Sequence, residues 1–154
     1  MDDNERALLL SVHPQFAESI LDGSKTAEIR RQRPDVHPGT LVIIYATKPV
    51  GAIVGTARIS GLSQGSPAEI WERHKAHARI TREDFDSYLE GAATAYALLL
   101  ESVQRLVPLL TLEQMRAAAS FHPPQSYRYV TQNTLNSLVS RHPEGDSLLT
   151  MLRF

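Results

Sequence analysis

Between Gly23 and Arg30 the chain reads Gly-Ser-Lys-Thr-Ala-Glu-Ile-Arg, and no other stretch constrains the fold as much. It packs three charges into a segment with strand-like alternation. In an extended chain successive side chains face opposite ways, which sends Ala27 and Ile29 to one side and Thr26, Glu28 and Arg30 to the other. Lys25 stands at the preceding turn. Two arrangements satisfy this pattern. Glu28 and Arg30 can neutralise each other on a solvated edge strand, where such a pair contributes at most about 1 kcal/mol. Alternatively, the polar face can turn toward a concave part of a sheet or barrel, where the same side chains can hold a base and a phosphate.

The flanking sequence supplies the frame. Ala7-Leu8-Leu9-Leu10 is an apolar run of strand length within Arg6 to Val12, and His13-Pro14 ends it. Pro14 suits a first helical turn, Phe16, Ala17, Ile20 and Leu21 share one helical face, and Gly23 stands where a left-handed cap closes the helix. That helix leads into a second strand, Lys25 to Arg30, followed by a loop with Pro34, Pro38 and Gly39. Thr40 to Ala46 reads as a buried strand paired antiparallel to Ala52 to Leu62. Ser66-Pro67-Ala68-Glu69 and Thr81-Arg82-Glu83-Asp84 are helix starts, the second helix stopping at Gly91. Ala92 to Leu106 fits helix or strand; strand is the reading taken, with Pro108 ending the run. A short helix from Thr111, an ordered loop Phe121 to Ser126, a last strand Tyr127 to Val130 and a helical tail over 132–154 complete the chain.

The expected architecture is a single α+β domain over 1–154, with five to six mostly antiparallel strands and short flanking helices. Without cysteine there is no disulfide framework, thiolate zinc site or cysteine nucleophile. The acidic Met1 to Glu5 lacks the basic start of a secretory signal, and no apolar run approaches the ~18 residues of a membrane span, so a cytoplasmic, non-membrane protein is expected. Sixteen basic against seventeen acidic residues leave a formal charge of -1, which disfavours gripping long duplexes through many phosphates but permits a local basic site. Basic side chains do cluster at Arg30-Arg31-Gln32-Arg33.

Other chemistries find little support. His74 and His77 lie three apart near Glu69, Glu72 and Glu83, a spacing better explained by an exposed polar helix than by a metal site. There is no G-x-S-x-G, and Gly51, Gly55 and Gly61 lie around a strand without the helix start that would cradle a phosphate. A wider polar set does stand out: Tyr45 closes a buried strand, Lys48 follows in its loop, and Gln125-Ser126-Tyr127 ends a proline-rich segment. With Lys25 and Arg30, these could stack a base, read its edge and bind its phosphate; tyrosines at strand ends are more often packing residues.

The sequence resembles the ASCH domain family, a branch of the PUA-like superfamily. The resemblance rests on Leu8 to Pro14 with Phe16-Ala17, on Ile20 to Arg30 with its G-x-K-T-x-E-x-R string, on Pro38 to Ala46, on Ile53 to Ala57, and on Phe121 to Tyr127. It implies a small PUA-like β-barrel with a cleft for RNA or a single nucleotide, lined by Gly23, Lys25, Thr26, Glu28 and Arg30. In the deacylating branch of the family a threonine occupies the place of Glu28, which sets this chain apart from modified-nucleoside amidohydrolases. The longer chain and its proline-rich Gln-Ser loop look more like the RNA-cleaving members, and by that match Tyr45, Lys48, Ser126 and Glu28 are the expected catalytic groups. Lys25, Thr26, Glu28, Arg30, Gln125 and Tyr127 are then the expected nucleotide-binding groups. The expected partner is RNA or a nucleotide: single-stranded RNA bound and cleaved or, in the alternative, RNA or a modified nucleotide only read in a regulatory role, with hydrolysis of a modified nucleoside the reading that Glu28 disfavours. A divalent cation could assist, though no ligand cluster demands one and no metal ligand is assigned.

Overall fold

The structure is a computed structural model and describes residues 5–154. Met1 to Asn4, part of the acidic start invoked against a secretory signal, lie outside the described residues. The others form six strands and six helices, and the strands make one sheet in the order β2-β5-β4-β3-β1-β6.

Strand β1 (Ala7–Val12) is buried along its whole length. Helix α1 (Pro14–Leu21) begins at the expected proline, and Gly23 takes a φ of 85° just past its end, a conformation nearly free of strain only for glycine. Strand β2 (Ala27–Arg30) starts two residues later than expected. Strands β3 (Leu41–Ala46) and β4 (Ala52–Gly65) pair antiparallel as expected, with β4 running three residues beyond Leu62. Helix α2 (Pro67–Ala78) opens with a complete capping box between Ser66 and Glu69, and α3 (Arg82–Tyr88) with Thr81 accepting from the Asp84 amide. Each cap contributes about 1 kcal/mol.

Strand β5 (Ala95–Thr111) settles the ambiguous segment as strand but overturns its expected end, because it runs through Pro108. The missing N–H costs nothing there. Pro108 sits in an irregular stretch between the paired Arg105 and Leu110, and the β2 side is open because β2 pairs only with Tyr96 to Leu99. Helix α4 (Leu112–Ala118) has a second capping box, Thr111 with Gln114. Strand β6 (Tyr127–Val130) follows, and then helices α5 (Gln132–Leu138) and α6 (Gly145–Met151) within 132–154.

All neighbouring strands are antiparallel except β1 and β3, whose parallel pairing sets Ser11 beside Tyr45. Bulges in β4 and β5 let these two long strands curl and serve both halves of the sheet. At one crossing the backbones approach so closely that a Cβ on Gly55 would lie 2.6 Å from the Gln104 carbonyl oxygen. One sheet face packs Leu8, Leu10, Val42 and Ile44 against Ala17 and Ile20 of α1. The other packs Leu9, Ile43 and Tyr45 against Met115, Leu135, Leu138 and Leu148 of α4, α5 and α6. A third cluster joins Ala27 and Ile29 of β2 to Ile70 of α2 and Phe85 of α3, so the apolar face of β2 is covered as its alternation requires. Among the described residues no helix is long and apolar enough to cross a membrane.

Candidate functional site

The chain reaches β2 through a short, tied turn. After α1, the Ser24 amide donates to Asp22 Oδ1 (2.8 Å) and the Lys25 amide to the Ser19 carbonyl (2.9 Å). The Thr26 amide donates to the His77 carbonyl, and the Thr26 carbonyl accepts from Leu100. Because Lys25 and Thr26 precede the regular strand, strand alternation does not govern them. Lys25 turns inward and is buried, while the Thr26 side chain is exposed. The expectation that Thr26 lines the polar face with Glu28 and Arg30 is therefore corrected.

Lys25, Glu28 and Arg30 form a buried row. Lys25 Nζ donates to the Ala78 carbonyl at the end of α2, lies 4.9 Å from the centre of the Phe16 ring, and stands 3.6 Å from Glu28 Oε1. The last carbonyls of a helix carry partial negative charge, which favours a cation there. Arg30 donates from Nη2 to Glu28 Oε2 (3.0 Å) and to the Ser11 carbonyl (2.8 Å), and from Nη1 to Ser126 Oγ (3.1 Å). Its Nε is buried without a partner. Only 1% of Lys25, 5% of Glu28 and 8% of Arg30 is exposed, so β2 is an edge strand but its ion pair is not solvated. Two cations around one carboxylate leave one positive charge in excess. Burial pushes the Lys25 ammonium below its ordinary pKa, with Glu28 pulling the other way.

This row forms one wall of a cavity of about 440 Å³. Ser11, His13 and Phe16 come from β1 and α1, Thr47 from the β3–β4 turn, Asp84 and Tyr88 from α3, and Gln125 from the loop before β6. That loop is pinned to β1: the Ser11 amide donates to the Ser126 carbonyl (3.0 Å) and Ser11 Oγ to the Pro124 carbonyl (2.8 Å). Lys25, Glu28, Arg30, Gln125 and Ser126 are thus brought together. Tyr127 stands beside them in sequence but packs edge-on against Tyr129, and burial raises its pKa.

Tyr45 and Lys48 are placed differently. Tyr45 is 3% exposed and packs against Phe121 on the far face of the sheet, which removes its ring as a stacking platform in this cavity. Burial raises its pKa, with Arg116 lowering it in part. Lys48 is exposed in the turn after β3 and does not line the cavity, although its neighbour Thr47 does. Register and hydrogen bonding nevertheless bring the backbones of Tyr45, Ser11 and Ser126 together at one end of the sheet.

Sequence reasoning missed Phe16, Thr47, Asp84 and Tyr88 as wall residues. Phe16 and Tyr88 lie on helices, and no local pattern separates a packing position there from one that lines a cavity. Among the described residues no group of three or more histidines, aspartates and glutamates is placed to hold a metal ion.

A curled mixed sheet with short helices on both faces and a polar cleft against the β2 edge is a PUA-like architecture. The chain belongs to the ASCH domain family, whose model matches residues 10–131. It is 33% identical over 138 residues to the ASCH domain-containing ribonuclease of Zymomonas mobilis, covering 89% of this chain and 93% of that one. The crystal structure of ASCH from Zymomonas mobilis matches with a TM-score of 0.82 at 32% identity, covering 90% of this chain and 96% of the other. ZmASCH from the same organism has also been crystallised with a tyrosine replaced by phenylalanine and with a serine replaced by alanine. The N-terminal domain of McrB from Staphylothermus marinus, 10% identical, matches with a TM-score of 0.56 over 88% of this chain and 93% of its own, a likeness of fold alone.

Proposed function

We propose that this chain binds a nucleotide of single-stranded RNA in the cleft beside β2 and cleaves the strand there. The observation that carries the reading is the buried Lys25, Glu28 and Arg30 row in the wall of a cavity of about 440 Å³. Charges buried at a cost of several kcal/mol per ion and lining a cleft mark a candidate ligand site. The similarity to a relative named a ribonuclease supports cleavage as the activity.

The residues divide by what they have left to offer. Arg30 already spends three donations inside the protein, so it positions Ser126 and Glu28 rather than gripping phosphate. Ser126 Oγ accepts from Arg30 and keeps its own hydrogen to donate to a phosphate oxygen. Gln125 is exposed at the cavity and can read a base edge. Lys25 and Glu28 orient the base and ribose. Lys48 has an exposed cation at the same end of the sheet, where it can meet the negative charge that builds on phosphate during cleavage. Tyr45 supports this end from the core side.

Incubation of labelled single-stranded RNA with the protein, with and without magnesium or manganese, tests the reading. Shorter products are expected, with cleavage reduced in Lys48→Ala. Intact RNA in every condition would remove the nuclease half of the proposal.

One observation favours a second reading, a non-catalytic reader of RNA. Both Glu28 oxygens are engaged by cations, at 3.6 and 3.0 Å, so the carboxylate is not free to act as a base. The same engagement weighs against hydrolysis of an acylated nucleoside through Glu28. Tight binding without turnover would select the reader.

A further inference from the structure

A second cavity, of about 610 Å³, opens beside the first and shares Arg30, Tyr88 and Gln125 with it. Its own wall comes from Arg31 and Gln32, just after β2, from Ala92 to Thr94, just before β5, and from Ser126. The two cavities adjoin along the shared residues. Each has the volume of a small-molecule site.

We propose that this second cavity holds the nucleotide next to the one captured beside Glu28, so that the ligand is a strand of at least two nucleotides and not a free mononucleotide. The inference rests on the reading of the first cavity as a nucleotide site. Three features of the second support it. The Arg31 guanidinium is exposed and uses Nη1 to hold the Tyr88 and Glu90 carbonyls (2.8 and 3.0 Å), and among the described residues no carboxylate pairs with it. Its charge therefore remains available to a phosphate, unlike that of Arg30. Tyr88 lines both cavities with 39% of its surface exposed, an aromatic group on which a base can stack. Ala92 and Ala93 leave room along the far wall, and Thr94 and Gln32 supply hydrogen-bonding groups for a sugar and phosphate.

The test compares a 5′-nucleoside monophosphate with a six-nucleotide single-stranded RNA made uncleavable by 2′-O-methylation. Binding is measured over a range of salt for the native protein, Arg31→Gln and Ala93→Glu. Glutamine at position 31 keeps a donor toward the Tyr88 and Glu90 carbonyls, and Ala93 is exposed, so both variants are expected to fold, as circular dichroism checks. The native protein should bind the oligonucleotide at least about tenfold more tightly than the monophosphate. Each variant should lose about tenfold toward the oligonucleotide, with its salt slope reduced by about 0.7 in Arg31→Gln, and keep monophosphate binding within about twofold. Equal native affinity for the two ligands, or variants that weaken neither or both alike, would overturn the second subsite while leaving the first cavity's role intact. If neither ligand binds the native protein, the nucleotide reading of the first cavity fails and the inference falls with it.

Discussion

Arg30 Nη1 donates to Ser126 Oγ across 3.1 Å, joining strand β2 to a loop 96 residues further along the chain. With the bonds from Ser11 to the same loop, this places Gln125 at the cavity that the β2 charges line and Ser126 in the wall of the adjoining one. Arg30→Met should therefore do two things. It should cost about 3 kcal/mol in chemical denaturation, because Glu28 loses its nearer buried partner. It should also free the 121–126 loop, read as faster amide exchange at Ser11, which donates to the Ser126 carbonyl. Unchanged exchange would mean that Ser11 alone holds the loop.

Lys25 makes stability depend on pH in a definite direction. Its buried ammonium has a pKa below the ordinary 10.5, so between the two values the unfolded chain binds more protons than the folded one. Stability contributed by this group is then fully present above 10.5 and is lost as pH falls through the folded value. The native protein should gain stability relative to Lys25→Met as pH is raised toward that limit, measured by urea unfolding at matched pH. A constant difference would mean that the lysine is not destabilised as a cation.

Ser126→Ala separates positioning from chemistry. The fold loses one acceptor for Arg30, a cost of about 1 to 3 kcal/mol. If the hydroxyl donates to the reacting phosphate, the cleavage rate should fall by about a hundredfold with the dissociation constant for uncleavable RNA changed less than about threefold. Equal losses in rate and binding would make Ser126 a binding group only.

Tyr45→Phe is expected to fold normally, with stability within about 1 kcal/mol, because the ring retains its packing against Phe121. Its cleavage rate then reports on the hydroxyl alone. Native turnover would confine Tyr45 to the core.

Gly55→Ala tests the close crossing of β4 and β5. The new methyl would lie 2.6 Å from the Gln104 carbonyl, in backbone that cannot swing aside, and should cost about 1 to 3 kcal/mol by thermal unfolding. A smaller loss would show that the bulged strands can separate.

Local chemistry was enough to mark many of the elements. Pro14 and Gly23 bracket α1, Ser66 with Glu69 opens α2, and the period-two pattern of Ala27 to Arg30 assigns an apolar and a polar face to β2, because each signal acts within a few residues. The G-x-K-T-x-E-x-R string also led to the family and to Lys25, Glu28 and Arg30 as the centre of a cleft. Tertiary structure decided how those side chains are used. It buried Lys25 against the end of α2, left Thr26 in solvent, paired β1 with β3 in parallel and turned Tyr45 toward the far face. It also brought Tyr88 of α3 to the cleft and committed Arg30 to Ser126. These contacts join residues tens of positions apart. Their energies depend on which strands pair and which helices cover them, so periodicity within a segment could assign a face to a side chain but not the partner waiting on it.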